Sequence, residues 1–218
     1  MNRLFALWET TVGKKVAMAV TGIVMILFLI SHMISNVLIF SNPAHLDRYA
    51  AWLRSLGPVL WAVRAILLAS VLLHIAAAWQ LTVRARCARP ITYDRHELQV
   101  ATYAARTMRW GGVLIGVFIV FHLLHFTTGT FHPNFRPGEP GSNVIAGFKV
   151  WPVAVFYLVA MLALGLHLSH GTWSALQTLG WNHPAYNRTK RLLAWALAIV
   201  IAGGFATIPL AALLGYWR

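Results

Sequence analysis

Five long stretches without a charged residue constrain this chain more than any other feature. They run from Val16 to Phe40, Ala65 to Val83, Trp110 to Phe131, Val150 to Leu179 and Leu192 to Trp217. A bilayer span takes about 20 apolar residues at about 1.5 Å rise each, so each stretch is long enough to cross. The sequence therefore predicts an all-α, polytopic membrane protein with five transmembrane helices, at about 16–40, 60–83, 109–131, 150–178 and 192–216.

Composition supports a single membrane domain over residues 1–218. Of the 218 residues, 59% are hydrophobic and 11% are charged, which is far from a soluble domain. The net charge of +13 lies in the loops, which favours lipid headgroups or an acidic protein partner and not nucleic acid. The single cysteine, Cys87, excludes a disulfide framework and a Cys-based metal or iron–sulfur site.

The loops predict the breaks and the orientation. Breaks are expected at Asn42–Pro43, Gly57–Pro58, Arg89–Pro90, the stretch from Pro133 to Pro140, and His183–Pro184. With the amino terminus inside, 12 of the 18 basic residues are inside: Arg3, Lys14, Lys15, Arg84, Arg86, Arg89, Arg95, Arg106, Arg109, Arg188, Lys190 and Arg191. The six outside are Arg48, Arg54, Arg64, Arg136, Lys149 and Arg218. The positive-inside rule thus predicts a cytoplasmic amino terminus and an outer carboxyl terminus.

Histidines inside the spans are the candidate functional residues. Six of the ten lie there: His32, His74, His122, His125, His167 and His170. A polar ring in hydrocarbon must find a partner or line a cavity. Interhelical hydrogen bonding explains any single one, but four successive spans that each supply a histidine favour a shared site.

Depth along the helices sorts these histidines into two pairs. His32 is 17 residues beyond Lys15 and His122 is 13 beyond Arg109, roughly 25 and 20 Å above the inner boundary. His74 is 10 residues before Arg84 and His167 is 14 before Trp181, about 15 to 20 Å above it. The arithmetic predicts an outer pair, His32 with His122, and a slightly lower inner pair, His74 with His167.

Facing imidazoles within a four-helix bundle suit a flat macrocycle held by both axial positions. Zinc would require three or four nearby ligands with Cys or carboxylate among them, and no span contains an acid. The sequence therefore favours two haems stacked within four of the five helices. They are expected to be non-covalent b-type haems because the chain has no C-x-x-C-H motif.

An ordered set of motifs covers nearly the whole chain. It consists of Gly13-Lys14-Lys15, Ser31-His32-Met33-Ile34-Ser35-Asn36, Leu73-His74, Phe121-His122-Leu123-Leu124-His125-Phe126 and His167-Leu168-Ser169-His170-Gly171-Thr172-Trp173-Ser174. With this set, the chain resembles the cytochrome b subunit of succinate dehydrogenase or fumarate reductase, in the five-helix, two-haem branch called the b558 family.

The resemblance implies a role for each of these positions. His32 and His122 would ligate the outer haem iron, and His74 and His167 the inner one. His125 and His170, three residues after a ligand on the same helix face, are the alternative ligands or else hydrogen-bonding residues. Arg109 would bind a haem propionate or serve only as a positive-inside residue; Arg106, Lys190 and Arg191 are the other candidates for the propionate.

The resemblance also implies partners and a location. The chain would anchor a flavoprotein subunit and an iron–sulfur subunit on the cytoplasmic face of the inner membrane, and pass their electrons to menaquinone or another quinone. The loop from Arg84 to Arg109 would dock the iron–sulfur subunit or only determine topology. Some relatives carry a glutamate two residues before the fourth-helix ligand, where this chain has Gly165. All five acids lie outside the spans (Glu9, Asp47, Asp94, Glu97 and Glu139), so quinone protons would come through His, Tyr, Ser or water.

Three other interpretations compete with this one. The first is the di-haem cytochrome b subunit of another quinone-linked dehydrogenase, such as a hydrogenase or formate dehydrogenase. The second is a membrane transporter lined by histidines, although internal repeats and broken helices typical of transporters are not evident in this sequence. The third is a structural anchor without haem.

Overall fold

Helices form the whole architecture of the part that the computed structural model describes, residues 3–88 and 102–217. Five of them are long and apolar enough to cross a membrane, which confirms the predicted all-α class and the span count. Along the chain the helices are α1 (Arg3–Glu9), α2 (Thr11–Val37), α3 (Pro43–Ser55), α4 (Pro58–Cys87), α5 (Tyr103–His122), α6 (Pro140–Phe148), α7 (Trp151–Thr178) and α8 (Asn187–Leu213). The spanning helices are α2, α4, α5, α7 and α8.

Short turns extend three of the spanning helices. A 3-10 turn, Leu38–Phe40, follows α2; a π turn, Leu123–Thr127, continues α5; and a second 3-10 turn, Pro184–Tyr186, precedes α8. The third span therefore ends at Thr127 and not at the predicted residue 131. Gly129 follows with φ of 74°, a conformation that favours glycine and turns the chain out of the helix.

The second span extends further than predicted. α4 continues four residues past Val83, because Arg84 and Arg86 lie in its last turn, where cations interact favourably with the helix dipole. The predicted docking loop between Arg84 and Arg109 is described only at its two ends. Arg89, Pro90, Asp94, Arg95 and Glu97 lie outside the described residues, as does Arg218.

Two short helices lie between spans where the sequence predicted only breaks. α3 begins at Pro43, with the Asn42 side chain accepting a hydrogen bond from the Ala44 amide at 2.9 Å. α6 also begins with a proline, Pro140, but its N-cap residue Glu139 makes no side-chain hydrogen bond. The amide of Gly141 donates to the Asp47 carboxylate at 2.7 Å, which ties α6 to α3. These two helices form a cap over one end of the bundle.

The five spanning helices pack unequally. α2, α7 and α8 pack against one another, α4 packs along α2, and α5 packs along α7. Close packing of α7 on α8 uses small and medium residues, with Ala160, Ala198 and Ile201 almost completely buried. In the described part of the chain, α4 is not packed against α5 or α7, nor α5 against α2. The bundle therefore leaves space across α2 and α7, with α4 on one side and α5 on the other.

Candidate cofactor site

Four intramembrane histidines form two pairs across this space. His32 on α2 and His122 on α5 have ring centroids 6.0 Å apart, with an angle of 84° between the ring planes. His74 on α4 and His167 on α7 have centroids 6.2 Å apart, at an angle of 53°. Each pair joins two helices that do not pack against each other. The structure therefore brings together the same partners that the depth arithmetic predicted.

These separations match what two trans ligands on one metal ion require. A metal–imidazole nitrogen bond is about 2.0 Å and that nitrogen is about 1.1 Å from its ring centroid, so two trans imidazoles have centroids roughly 6.2 Å apart. Face-to-face stacked rings are commonly closer, whereas edge-to-face rings reach the same separation. All four rings are half-buried, and no hydrogen bond within the described residues involves their Nε2 atoms. The residues present therefore fit an iron bound between each pair.

The depth of each pair follows from its neighbours. His74 lies against α2 at Thr21, whose Oγ1 is 3.2 Å from its Nδ1. His32 is 11 residues further along α2, and this separates the two levels by about 16 Å. On α5, Gly112 is nearest His167, and His122 lies 10 residues beyond it, or about 15 Å. Two flat macrocycles stacked along the bundle fit this separation.

The small predicted difference in depth was wrong in size. It assumed that Arg84 and Lys15 mark the same inner boundary. In the structure the Arg84 guanidinium donates to the Glu9 carbonyl at 2.7 Å, six residues before Lys15. Arg84 and Lys15 therefore do not mark the same level, and counting residues from each of them misjudges the separation of the two pairs.

Glycines keep the space beside the inner pair open. A Cβ placed on Gly22 would be 3.7 Å from the His74 ring, and one on Gly112 would be 3.9 Å from the His167 ring. No atom lies within 4 Å of a Cβ placed on Gly111 or Gly116 of α5. Side chains larger than alanine at Gly22 and Gly112 would press on the His74 and His167 rings.

The Nδ1 atoms of these rings have different surroundings. His74 Nδ1 is 3.2 Å from Thr21 Oγ1, and His122 Nδ1 is 3.3 Å from Tyr157 Oη. His32 Nδ1 is 3.3 Å from the Asn36 amide on its own helix. The buried His167 Nδ1 has no hydrogen-bond partner in the described part of the chain. A hydroxyl oxygen beside Nδ1 can accept its proton and leave Nε2 for a metal, whereas the Asn36 amide nitrogen can only donate and favours the opposite tautomer in His32.

The two alternative histidines are placed differently from the four paired ones. His125 is completely buried, its Nδ1 is 3.1 Å from Tyr157 Oη, and its ring stacks on His132 at 5.0 Å. His170 is half-buried, and its nearest aromatic neighbour is Trp173 at 6.4 Å. Neither ring faces a histidine on a helix across the open space. The hydrogen-bonding role suits His125 better than the ligand role.

Basic residues at the end of the bundle where α2, α5 and α8 begin differ in their exposure. Arg109, the predicted propionate partner, is exposed and forms no hydrogen bond or ion pair with the described residues. Lys14 is completely buried: its ammonium donates to the Trp8 carbonyl and lies 5.0 Å from the Trp8 ring centroid. Lys190 is buried as well and donates to the Trp181 carbonyl at 2.5 Å. Nothing in the sequence pattern distinguishes these two buried lysines from the exposed Arg109.

Fold and site together define a class: a multi-pass helical membrane protein with two stacked intramembrane histidine pairs. Comparison of the chain with protein-family models, with curated proteins and with solved structures gives no match.

Proposed function

We propose that the chain is the di-haem cytochrome b membrane anchor of a succinate:quinone oxidoreductase. In this role it carries electrons between an iron–sulfur subunit and a membrane quinone, menaquinone or a related one. The observation that supports the proposal most directly is the spacing of the two histidine pairs, 6.0 and 6.2 Å between centroids. Both pairs bridge helices that are not packed together.

The two haems, when bound, supply one-electron carriers at two depths of the membrane. His32 and His122 would hold the outer one, and His74 and His167 the inner one. The surrounding apolar helices exclude water, and ligand identity and low dielectric set the potential of such a centre. Two histidines assigned to each iron would leave no open site for a small ligand, so electron transfer is the expected chemistry.

The inner end offers a basic surface to the partner subunits. Arg84 and Arg86 lie in the last turn of α4, and Arg188 and Arg191 are exposed near the start of α8. An acidic face of the iron–sulfur subunit would complement them. The five spanning helices contain no Asp or Glu. Protons for quinone chemistry would therefore pass through hydroxyl groups, histidines or water.

Haem content of the purified complex tests the proposal. The wild type is expected to show a b-type reduced-minus-oxidised spectrum and two haems per chain by the pyridine haemochrome assay. His74→Ala and His167→Ala should each leave one haem, because the outer pair is about 15 Å away. His125→Ala and the loop variant His183→Ala should each retain two. Two haems in His74→Ala would contradict the ligand assignment.

Copurification separates the proposal from its competitors. An affinity tag on this chain should retain a flavoprotein and an iron–sulfur protein, and the complex should reduce quinone with succinate. Haem without succinate activity would favour another quinone-linked dehydrogenase. A chain that contains no haem in any preparation would leave the transporter or the structural anchor.

A further inference from the structure

In each histidine pair, one of the two histidines lies beside a hydroxyl group. We propose that Thr21 and Tyr157 are positioning residues that accept the Nδ1–H of His74 and His122. Each hydroxyl then tunes the reduction potential of the haem held by its own histidine pair and leaves the potential of the other haem unchanged. This inference rests on the proposed function, because it concerns the imidazoles as haem ligands.

The inner hydroxyl has its own proton already in use. Thr21 Oγ1 lies 2.7 Å from the Ala17 carbonyl, to which it donates. With its proton on that carbonyl, the hydroxyl faces His74 Nδ1 at 3.2 Å with a lone pair and accepts there. His74 therefore carries its proton on Nδ1 and presents an unprotonated Nε2 to the space between the helices. This is the tautomer that a metal ligand requires.

The outer hydroxyl serves two histidines with one proton. Tyr157 Oη is 3.3 Å from His122 Nδ1 and 3.1 Å from His125 Nδ1. If His122 is to ligate through Nε2, its Nδ1–H must donate to Oη, and the phenolic proton then passes to His125 Nδ1. His125 consequently carries its own proton on Nε2. That atom is buried and has no partner in the described residues, so the chain of hydrogen bonds ends there.

The other histidine of each pair has no hydroxyl partner. His167 Nδ1 is unpartnered within the described residues, and His32 Nδ1 faces only the Asn36 amide. A hydrogen bond from Nδ1–H makes an imidazole a stronger electron donor, and the low dielectric of the bundle strengthens the effect. A stronger donor favours the oxidised iron over the reduced iron. Removing either hydroxyl should therefore raise the potential of the adjacent centre and leave the distant one unchanged.

Redox titration of the whole purified complex tests this with matched variants. Thr21→Val removes only the inner hydroxyl and Tyr157→Phe only the outer one, while Tyr216→Phe removes a phenol distant from both pairs. Loss of an outer-shell partner changes metal affinity by roughly tenfold or more. If the ligand loses a tenfold preference for oxidised over reduced iron, the reduction potential of a one-electron couple rises by about 59 mV. Thr21→Val should raise only the reduction potential of the centre at the inner pair, and Tyr157→Phe only that of the centre at the outer pair. Tyr216→Phe should change neither potential.

Thr21→Ser separates a hydrogen-bonding role from a packing role, because it keeps the oxygen and removes a methyl group. It should restore the wild-type inner potential. Equal shifts in Thr21→Ser and Thr21→Val would overturn the inference, and so would a variant in which both potentials move together. Absence of b-type haem from the wild type would instead refute the proposed function, so the two failures are distinct.

Discussion

Replacing Gly147 by alanine should destabilise the end of the bundle that α3 and α6 cap. A Cβ at this position in α6 would be 2.8 Å from His125 Cε1 and 3.0 Å from Phe126 Cε1. Carbon atoms prefer about 3.5–4.0 Å, so the helix and the rings must separate by roughly 1 Å. The His125 ring cannot move aside without a free-energy cost, because it is fully buried, hydrogen-bonded to Tyr157 and stacked on His132. Overpacking of this kind costs about 1–3 kcal/mol.

Helix propensity opposes this cost only in part, because alanine gains at most about 1 kcal/mol over glycine within a helix. The matched control is Gly203→Ala on α8, where nothing lies within 4 Å of the new Cβ. Thermal unfolding of the detergent-solubilised complex, followed by far-UV circular dichroism, should give a lower midpoint for Gly147→Ala and an unchanged or higher one for Gly203→Ala. If Gly147→Ala unfolds at or above the wild-type temperature, the packing argument at this site is refuted.

Two further predictions concern the inner end. Cys87 is the single cysteine, exposed in the last turn of α4, so a membrane-impermeant maleimide should label inverted membrane vesicles and not intact cells; labelling in intact cells would reverse the predicted orientation. Lys14 is completely buried and bonded to the Trp8 carbonyl, whereas Lys15 is exposed. Lys14→Met should therefore lower the free energy of unfolding by about 1–3 kcal/mol and Lys15→Met by less than 0.5 kcal/mol or so, measured by the same thermal assay; equal effects would show that burial of Lys14 contributes nothing.

Most of the membrane fold could be predicted because hydrocarbon imposes one strong requirement, a long run of apolar residues. The five spans follow from that requirement, and the structure confirms them. The short helices could not be predicted from hydropathy, because α3 and α6 lie outside the apolar runs. Their signal was local: Pro43 and Pro140 occupy the first turn of a helix, where proline needs no amide partner. Each of the predicted breaks at Pro43, Pro58 and Pro184 is instead the first residue of a helical segment.

The composition of the candidate site was predictable, while its depth and outer shell were not. Counting residues along each helix paired His32 with His122 and His74 with His167, because the rise per residue in a helix is nearly constant. The same count misjudged the distance between the levels, because a basic residue marks the membrane boundary only within the reach of its side chain. Tyr157 is an aromatic residue in an apolar run, and no spacing rule links it to His122, 35 residues earlier. Contacts of that kind depend on how α5 and α7 pack.

The unequal packing of the spanning helices has a consequence for assembly. α4 is supported on one flank by α2, and α5 on one flank by α7, whereas α2, α7 and α8 support one another. A helix that packs on a neighbour along one side only can move outward at a lower free-energy cost than a helix that packs on two neighbours. If the chain holds haem as proposed, a newly inserted chain would thus admit the haem from the side, and the bound haem would then fasten α4 and α5 to the rest of the bundle.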